Sequence, residues 1–225
     1  MDIHTDLHDF SSRCRLFPLP NLVLFPHAIL PLHIFEPRYR QMTEDALASD
    51  QLVTIVQVKP MLEGTPWTEP VPIMEVGCLG RIVRHERLPD GRFNLLLLGC
   101  KRVRLEQELA SPKLYRIAKA TILEDQEPST EVETRREELI NLFLQVFEQT
   151  HRLDPDLARM LNSGLTLGVL SDLIAHALDL PSSLKQSLLD EIRVDHRVTI
   201  LRTILQEFVP SPEPSRRFPP PFSLN

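Results

Sequence analysis

Apolar residues alternate or gather in short blocks over the first half of the chain and recur at helical spacing over the second. Leu52-Val53-Thr54-Ile55-Val56-Gln57-Val58 is a short β-branched block bounded by Pro60 and Gly64, which predicts a buried strand. Residues 73–88 and 92–108 flank Pro89-Asp90-Gly91, where Asp and Gly supply turn dihedrals, so a hairpin is expected. In its second arm Phe93, Leu95, Leu97, Val103 and Leu105 share one parity and are expected to face the core, while Asn94, Arg102, Arg104 and Glu106 share the other. Leu96 and Leu98 add apolar groups to that second face, and Gly99 marks a bulge or bend; together they suit a closed or half-closed barrel. Residues 114–123 supply a further strand. Upstream, residues 15–35 are apolar but interrupted by Pro18, Pro20, Pro26 and Pro31, which confines them to edge strand, kinked strand and loop.

Pro37 follows Glu36 at a first-turn position, and Tyr39, Met42, Ala46 and Leu47 then predict a helix ending near Asp50. From about residue 131 the period changes. Val132, Leu139, Phe143, Val146 and Phe147 make one apolar stripe, and the chain reads as helix to Val209, broken at Asp154-Pro155 and at Gly164. Ser183 with Gln186 has the form of a capping box opening a helix that carries Leu184, Leu188 and Ile192. A last helix, about 194–209, carries Val194, Val198, Leu201, Leu205 and Phe208. Strands first and helices afterwards argue an α+β fold. The expected segments are an extension (1–13), a β-barrel (14–125), a helical part (126–209) and a Pro-rich, extended, solvated tail (210–225).

With 225 residues, 42% hydrophobic and 25% charged, the chain can bury a core without disulfides or a structural metal. No apolar run approaches the roughly 18 residues of a membrane span. The first residues lack the basic and apolar regions of a signal peptide, so the cytoplasm is expected and a membrane partner is not. Cys14, Cys78 and Cys100 form no CxxC pair and read as reduced packing residues.

The search for chemistry is mostly negative. There is no phosphate-cradling G-x-x-x-x-G-K-[ST] loop, no G-x-G-x-x-G, no H-E-x-x-H and no G-x-S-x-G, so no catalytic residue is named and no cofactor is expected. Gly77-Cys78-Leu79-Gly80 has the form of a nucleic-acid GXXG clamp, but the apolar residues between the glycines favour a bend between strands. His27, His33 and Glu36 could share a metal, yet no second cluster at ligand spacing supports it, and ordinary loop histidines with no metal are expected. His151-Arg152 and His196-Arg197 read as polar helix faces, and His176 as the edge of one. Glu131, Glu133, Glu137 and Glu138 beside Arg135 and Arg136 read as a solvated helix start. One local asymmetry stands out in a chain of net charge −6. Within residues 80–104 Arg81, Arg84, Arg87, Arg92, Lys101, Arg102 and Arg104 face only Glu86 and Asp90, a patch that could meet phosphates or an acidic protein surface. Phe93 is the one aromatic residue in that window, and solvent faces of two strands explain it more simply.

Leu16-Phe17-Pro18-Leu19-Pro20-Asn21-Leu22-Val23-Leu24-Phe25-Pro26, followed by Ile29-Leu30-Pro31-Leu32-His33-Ile34-Phe35-Glu36-Pro37-Arg38-Tyr39, closely resembles the opening of the Lon protease N-terminal domain family, above all its stand-alone bacterial members. The resemblance continues through Val76-Gly77-Cys78-Leu79-Gly80-Arg81, Asp90-Gly91-Arg92-Phe93-Asn94-Leu95 and Leu98-Gly99-Cys100-Lys101-Arg102-Val103-Arg104. It implies a PUA-like β pseudo-barrel with an inserted helix, followed by a helical bundle. It also implies a substrate-recognition role without catalytic residues, and these residues hold neither an ATPase loop nor a Ser/Lys protease segment, so no enzyme is expected. His27 stands where the family commonly has Gly, which argues against a strict need for positive φ at that turn. The resulting expectation is a non-catalytic module that binds unfolded segments or a partner protein. Its groove would lie between barrel and helical half and be lined by Leu32, Ile34, Phe35, Glu36, Arg38 and Tyr39. The alternative is RNA binding by the basic strands, since PUA-like barrels elsewhere bind RNA. The oligomeric state is open.

Overall fold

A computed structural model describes Leu7, Phe10, residues 11–60, 70–150, Leu161 and residues 164–208. Its elements are β1 (Arg13–Leu19), β2 (Ile29–Ile34), α1 (Pro37–Leu47), β3 (Leu52–Gln57), β4 (Val76–Arg87), β5 (Phe93–Leu109), β6 (Ile117–Leu123), α2 (Thr130–Glu133), α3 (Arg136–Thr150), α4 (Leu167–Ala177), α5 (Ser182–Asp190) and α6 (Val194–Phe208). The β-branched block, the hairpin and the Pro37 helix are therefore all present, and strands precede helices in an α+β fold.

The strands form one sheet in the order β2-β5-β4-β3-β1-β6, and β6 pairs again with β5. The pairing thus closes on itself through five strands as a pseudo-barrel. The 17 residues of β5 make this possible, because its first part pairs with β2 and its last part with β6 along the same edge. At the hairpin Gly91 takes φ 80°, its N–H donates to Leu88 O at 2.9 Å, and Leu88 N–H donates to Arg92 O at 2.8 Å.

Side-chain alternation divides the sheet into two faces. One carries a small cluster drawn from five strands: Cys14 and Leu16, Leu52 and Val56, Leu79, Val103, Ala118 and Ala120. The other carries a large cluster that joins Val53, Ile55, Leu95 and Leu97 to α1 and to the helical half. The expected single core parity in β5 is corrected here. Gly80 pairs with Gly99 but Leu79 with Lys101, so Cys100 is an extra residue and the parity flips. Phe93, Leu95 and Leu97 face one cluster; Val103 and Leu105 face the other. Arg102, expected in solvent, thereby turns toward the helices and is 2% exposed.

The prolines also need a correction. β1 is an interior strand, paired with β3 in parallel and with β6 antiparallel. It tolerates Pro18 because β6 covers only its start: Leu16 N–H donates to Arg116 O at 2.9 Å, and two residues on, where the next donor would point the same way, Pro18 has none to leave unpaired. Pro31 lies in β2, which among the described residues is an edge strand paired with β5 alone.

In the helical half α6 packs on α3 and α4, and α5 packs on α4 and on β4. The expected helix from residue 131 is broken after one turn, at Thr134 and Arg135. Ser183 is not a cap: α5 starts at Ser182 after Pro181, and Gln186 is buried, donating to Val76 O at 3.0 Å and to Asp190 at 2.7 Å. Phe208 is 52% exposed at the end of α6 rather than part of the core. The Asp154-Pro155 break, His151-Arg152 and the Pro-rich tail lie outside the described residues.

Candidate functional site

The six residues expected to line a groove sit at the corner where β2 turns into α1. Leu32 pairs with Leu95 and Ile34 with Phe93, which buries Ile34 in the large cluster. Phe35 ends the strand and is 60% exposed, its ring stacked near that of His33 at 6.3 Å. Pro37 then opens α1 with φ already suited to helix. Arg38 donates Nε to Glu36 Oε2 at 2.9 Å and lies 4.6 Å from the centre of the Tyr39 ring, which is itself buried 4.2 Å from the Phe17 ring.

These residues divide between two concavities. Leu32, with Pro31 and His33, borders a shallow hollow of about 780 Å³ on the exposed face of β2, β5 and β4. Glu36, Arg38 and Tyr39 border a groove of about 570 Å³ whose other wall is Pro18, Leu19, Val58 and Leu114. Neither lies between barrel and helical half, where the groove was expected. The groove is mainly apolar, Leu114 being 61% exposed, and most of its charged and polar side chains have partners within the chain. Tyr115 Oη donates to Asp45 at 2.8 Å, and burial together with that carboxylate pushes its phenol up to about 12. Arg116 is held by Glu108 and by Val71 O at 2.7 Å.

The basic window does not form one cationic face. Arg102 is buried; Arg81 donates to Asp50 O at 3.1 Å; Arg87 pairs with Glu44 at 3.0 Å, Arg92 with Asp90 at 2.6 Å and Lys101 with Glu124 at 2.5 Å. Arg84 and Arg104 are exposed. Gly77 and Gly80 lie inside β4, where a Cβ would meet Ile55 O at 2.6 Å and Leu97 at 2.8 Å; the GXXG there is a close strand contact and not a loop.

The junction between the halves is filled by ions that sequence reasoning missed. Arg102 donates Nη1 to Asp172 Oδ2 at 2.8 Å, Nη2 to Asp172 Oδ1, and Nε to Leu189 O at 2.9 Å. Arg197, 0% exposed although expected on a polar face, donates to Ser171 Oγ at 2.8 Å, Asp125 Oδ2 at 2.5 Å and Glu191 O at 2.8 Å. Arg102, Arg197 and Asp172 are thus paired out of water, Asp125 closes the network from its partly exposed edge, and Ser171 and backbone carbonyls take the remaining donors. A signal existed for Arg197: it shares the spacing of Val194, Val198 and Leu201 and so belongs to the buried stripe. Gly168 is needed beside them, since a Cβ would lie 2.7 Å from Asp125 Oδ2.

His33 is tied to Asn94 at 2.8 Å and Arg92 at 3.3 Å, and Glu36 to Arg38, so two of the three residues weighed as metal ligands have other partners. Among the described residues no group of three His, Cys, Asp or Glu could hold a metal. The cysteines are free and buried, and burial pushes the Cys14 thiol up to about 11. Among the described residues no helix is long and apolar enough to cross a membrane.

Comparison with known proteins gives a consistent result. The chain is 28% identical over 192 residues to Lon protease of Dictyoglomus thermophilum, covering 84% of this chain and 24% of that one, and 26% identical over 189 residues to Lon protease of Azospirillum brasilense, covering 83% and 23%. It therefore spans about a quarter of the length of these curated relatives. In fold it is similar to the N-terminal domain of Mycobacterium avium complex Lon protease, with a TM-score of 0.64 at 16% identity over 87% of this chain and 98% of the other. It is also similar to a Lon N-terminal domain protein from Xanthomonas campestris, with a TM-score of 0.59 at 22% identity over 88% and 99%. A family model for the substrate-binding domain of ATP-dependent protease La (LON) matches residues 13–207, and the chain belongs to that family.

Proposed function

We propose that the chain is a non-catalytic module that binds extended protein segments in the groove beside the β2–α1 corner. The observation that carries this reading is the groove itself: a mainly apolar channel of about 570 Å³, open to solvent, in a member of a substrate-binding family. Glu36, Arg38, Tyr115 and Arg116 have partners within the chain, so a ligand meets mainly Leu19, Val58 and Leu114, which suits variable apolar side chains. Pro18 withholds a backbone donor on the open side of β1, so recognition falls to side chains rather than to strand addition.

The test is fluorescence anisotropy with a labelled, permanently unfolded protein fragment. Leu114→Asp places a charge on an exposed wall residue and leaves the core intact; it is expected to weaken binding of the fragment about tenfold, while the fragment survives incubation uncleaved. Equal binding by the Leu114→Asp variant removes the groove from the account.

A further inference from the structure

The hollow on the face of β2, β5 and β4 is a second surface, separate from the groove, and its chemistry is different. Three rows of side chains follow the strand register: Ile29, Leu98 and Arg81, beside the hollow; Pro31, Leu96 and Arg84; and His33, Asn94 and Glu86, the last two rows lining it. The third row is closed on itself, since His33 bonds to Asn94, and Asn94 donates to Glu86 at 3.2 Å. The middle row is not. Pro31 is exposed and Leu96 half-buried, and Arg84 makes no ion pair or side-chain hydrogen bond among the described residues. Exposed Ile29 and Phe35 extend the apolar strip along the sheet edge, 54% and 60% exposed.

We infer that this face docks an extended protein segment that is both apolar and acidic. Its apolar side chains lie across Pro31, Leu96 and Phe35, and a carboxylate reaches Arg84. Charge complementarity chooses this occupant: neighbouring Arg87 and Arg92 are paired with Glu44 and Asp90, so Arg84 is the cation beside the apolar strip without an ion pair among the described residues, and Glu86 in the next row, bonded to Asn94, confines the favourable position for a carboxylate to the Arg84 side. A cation two strand spacings from the sheet edge favours an aspartate or glutamate one or two residues from a bulky apolar group. A run of phosphates is disfavoured because the hollow offers it one cation and sets Glu86 in the next row, so the exposed His33–Phe35 ring pair would have to hold it with little charge, whereas a single carboxylate needs Arg84 alone. The segment lies on the face and does not extend the sheet, because Pro31 removes a donor from the middle of the β2 edge.

The experiment uses the full chain and three labelled probes: a short peptide of leucine, serine and aspartate, the same peptide with lysine for aspartate, and oligouridylate. The aspartate probe is expected to bind best, to weaken as salt rises, and to lose roughly three- to tenfold in affinity on Arg84→Glu, a screened exposed charge being reversed. Phe35→Ser is expected to weaken both peptides alike. In a Leu114→Asp background, which removes the share of binding held by the groove, the loss on Arg84→Glu and the preference for aspartate over lysine are expected to persist, so the two surfaces fail or succeed separately. Equal binding of the lysine probe, no response to Arg84→Glu, or displacement of the aspartate probe by oligouridylate each overturns the inference, the last in favour of a nucleic-acid partner.

Discussion

His27 holds φ at 66° between buried Pro26 and Ala28, and its N–H donates to Gly99 O at 2.8 Å. The turn thus needs the left-handed region after all, contrary to what a histidine in a position often filled by Gly suggests. The reason is the close approach of the turn to β5: a Cβ on Gly99 would lie 2.1 Å from Phe25 O, so the backbone has no room to relax. His27→Gly is expected to stabilise the chain by roughly 0.5 to 1 kcal/mol, read as a higher urea midpoint with unchanged slope. Tyr115 gives a pH signature. Burial, then the bond to Asp45, raises its phenol to about 12, above the roughly 10 of an unfolded chain, so its contribution is complete below pH 10 and disappears as pH climbs toward 12. The stability gap between wild type and Tyr115→Phe should shrink across that window; a constant gap would mean that the hydroxyl does not stabilise the neutral form. Neither feature is legible in sequence, because each depends on a neighbour far along the chain.

Elements were more legible than their orientation. Period-2 blocks and the turn at Asp90-Gly91 located β3, β4 and β5, and Pro37 located α1. What periodicity could not show is that one extra residue, Cys100, reverses the faces within β5. That reversal carries Arg102 out of solvent and onto Asp172, and it removes one of the seven cations from the basic window. Arg102→Met is expected to cost about 3 to 5 kcal/mol, since it leaves a buried carboxylate with one partner fewer. Arg104→Met, two residues along on the exposed strand, is expected to change stability by less than about 0.5 kcal/mol. Chemical denaturation of the two variants side by side decides whether the bulge or the sequence parity describes this strand.

At the scale of the whole molecule, the division into barrel and helical halves was visible as a change of period, but the join was not: Arg102, Asp125, Asp172 and Arg197 are widely separated and meet only on folding. The large apolar cluster runs through both halves without interruption. Calorimetry is therefore expected to show one cooperative transition with matching calorimetric and van't Hoff enthalpies, and two resolved transitions would mean that the halves are independent. The candidate sites lie away from this join, on the barrel flank, where the notable sequence features were prolines. Those prolines have a consequence for a protein whose proposed ligands are sticky, extended chains. With the donor missing at the midpoint of β2 and on the uncovered side of β1, a captured segment meets an interrupted ladder, and cross-β growth from the complex is disfavoured. Pro31→Val restores the missing donor; at high concentration with an unfolded ligand it is expected to produce thioflavin-positive fibrils sooner than the wild type.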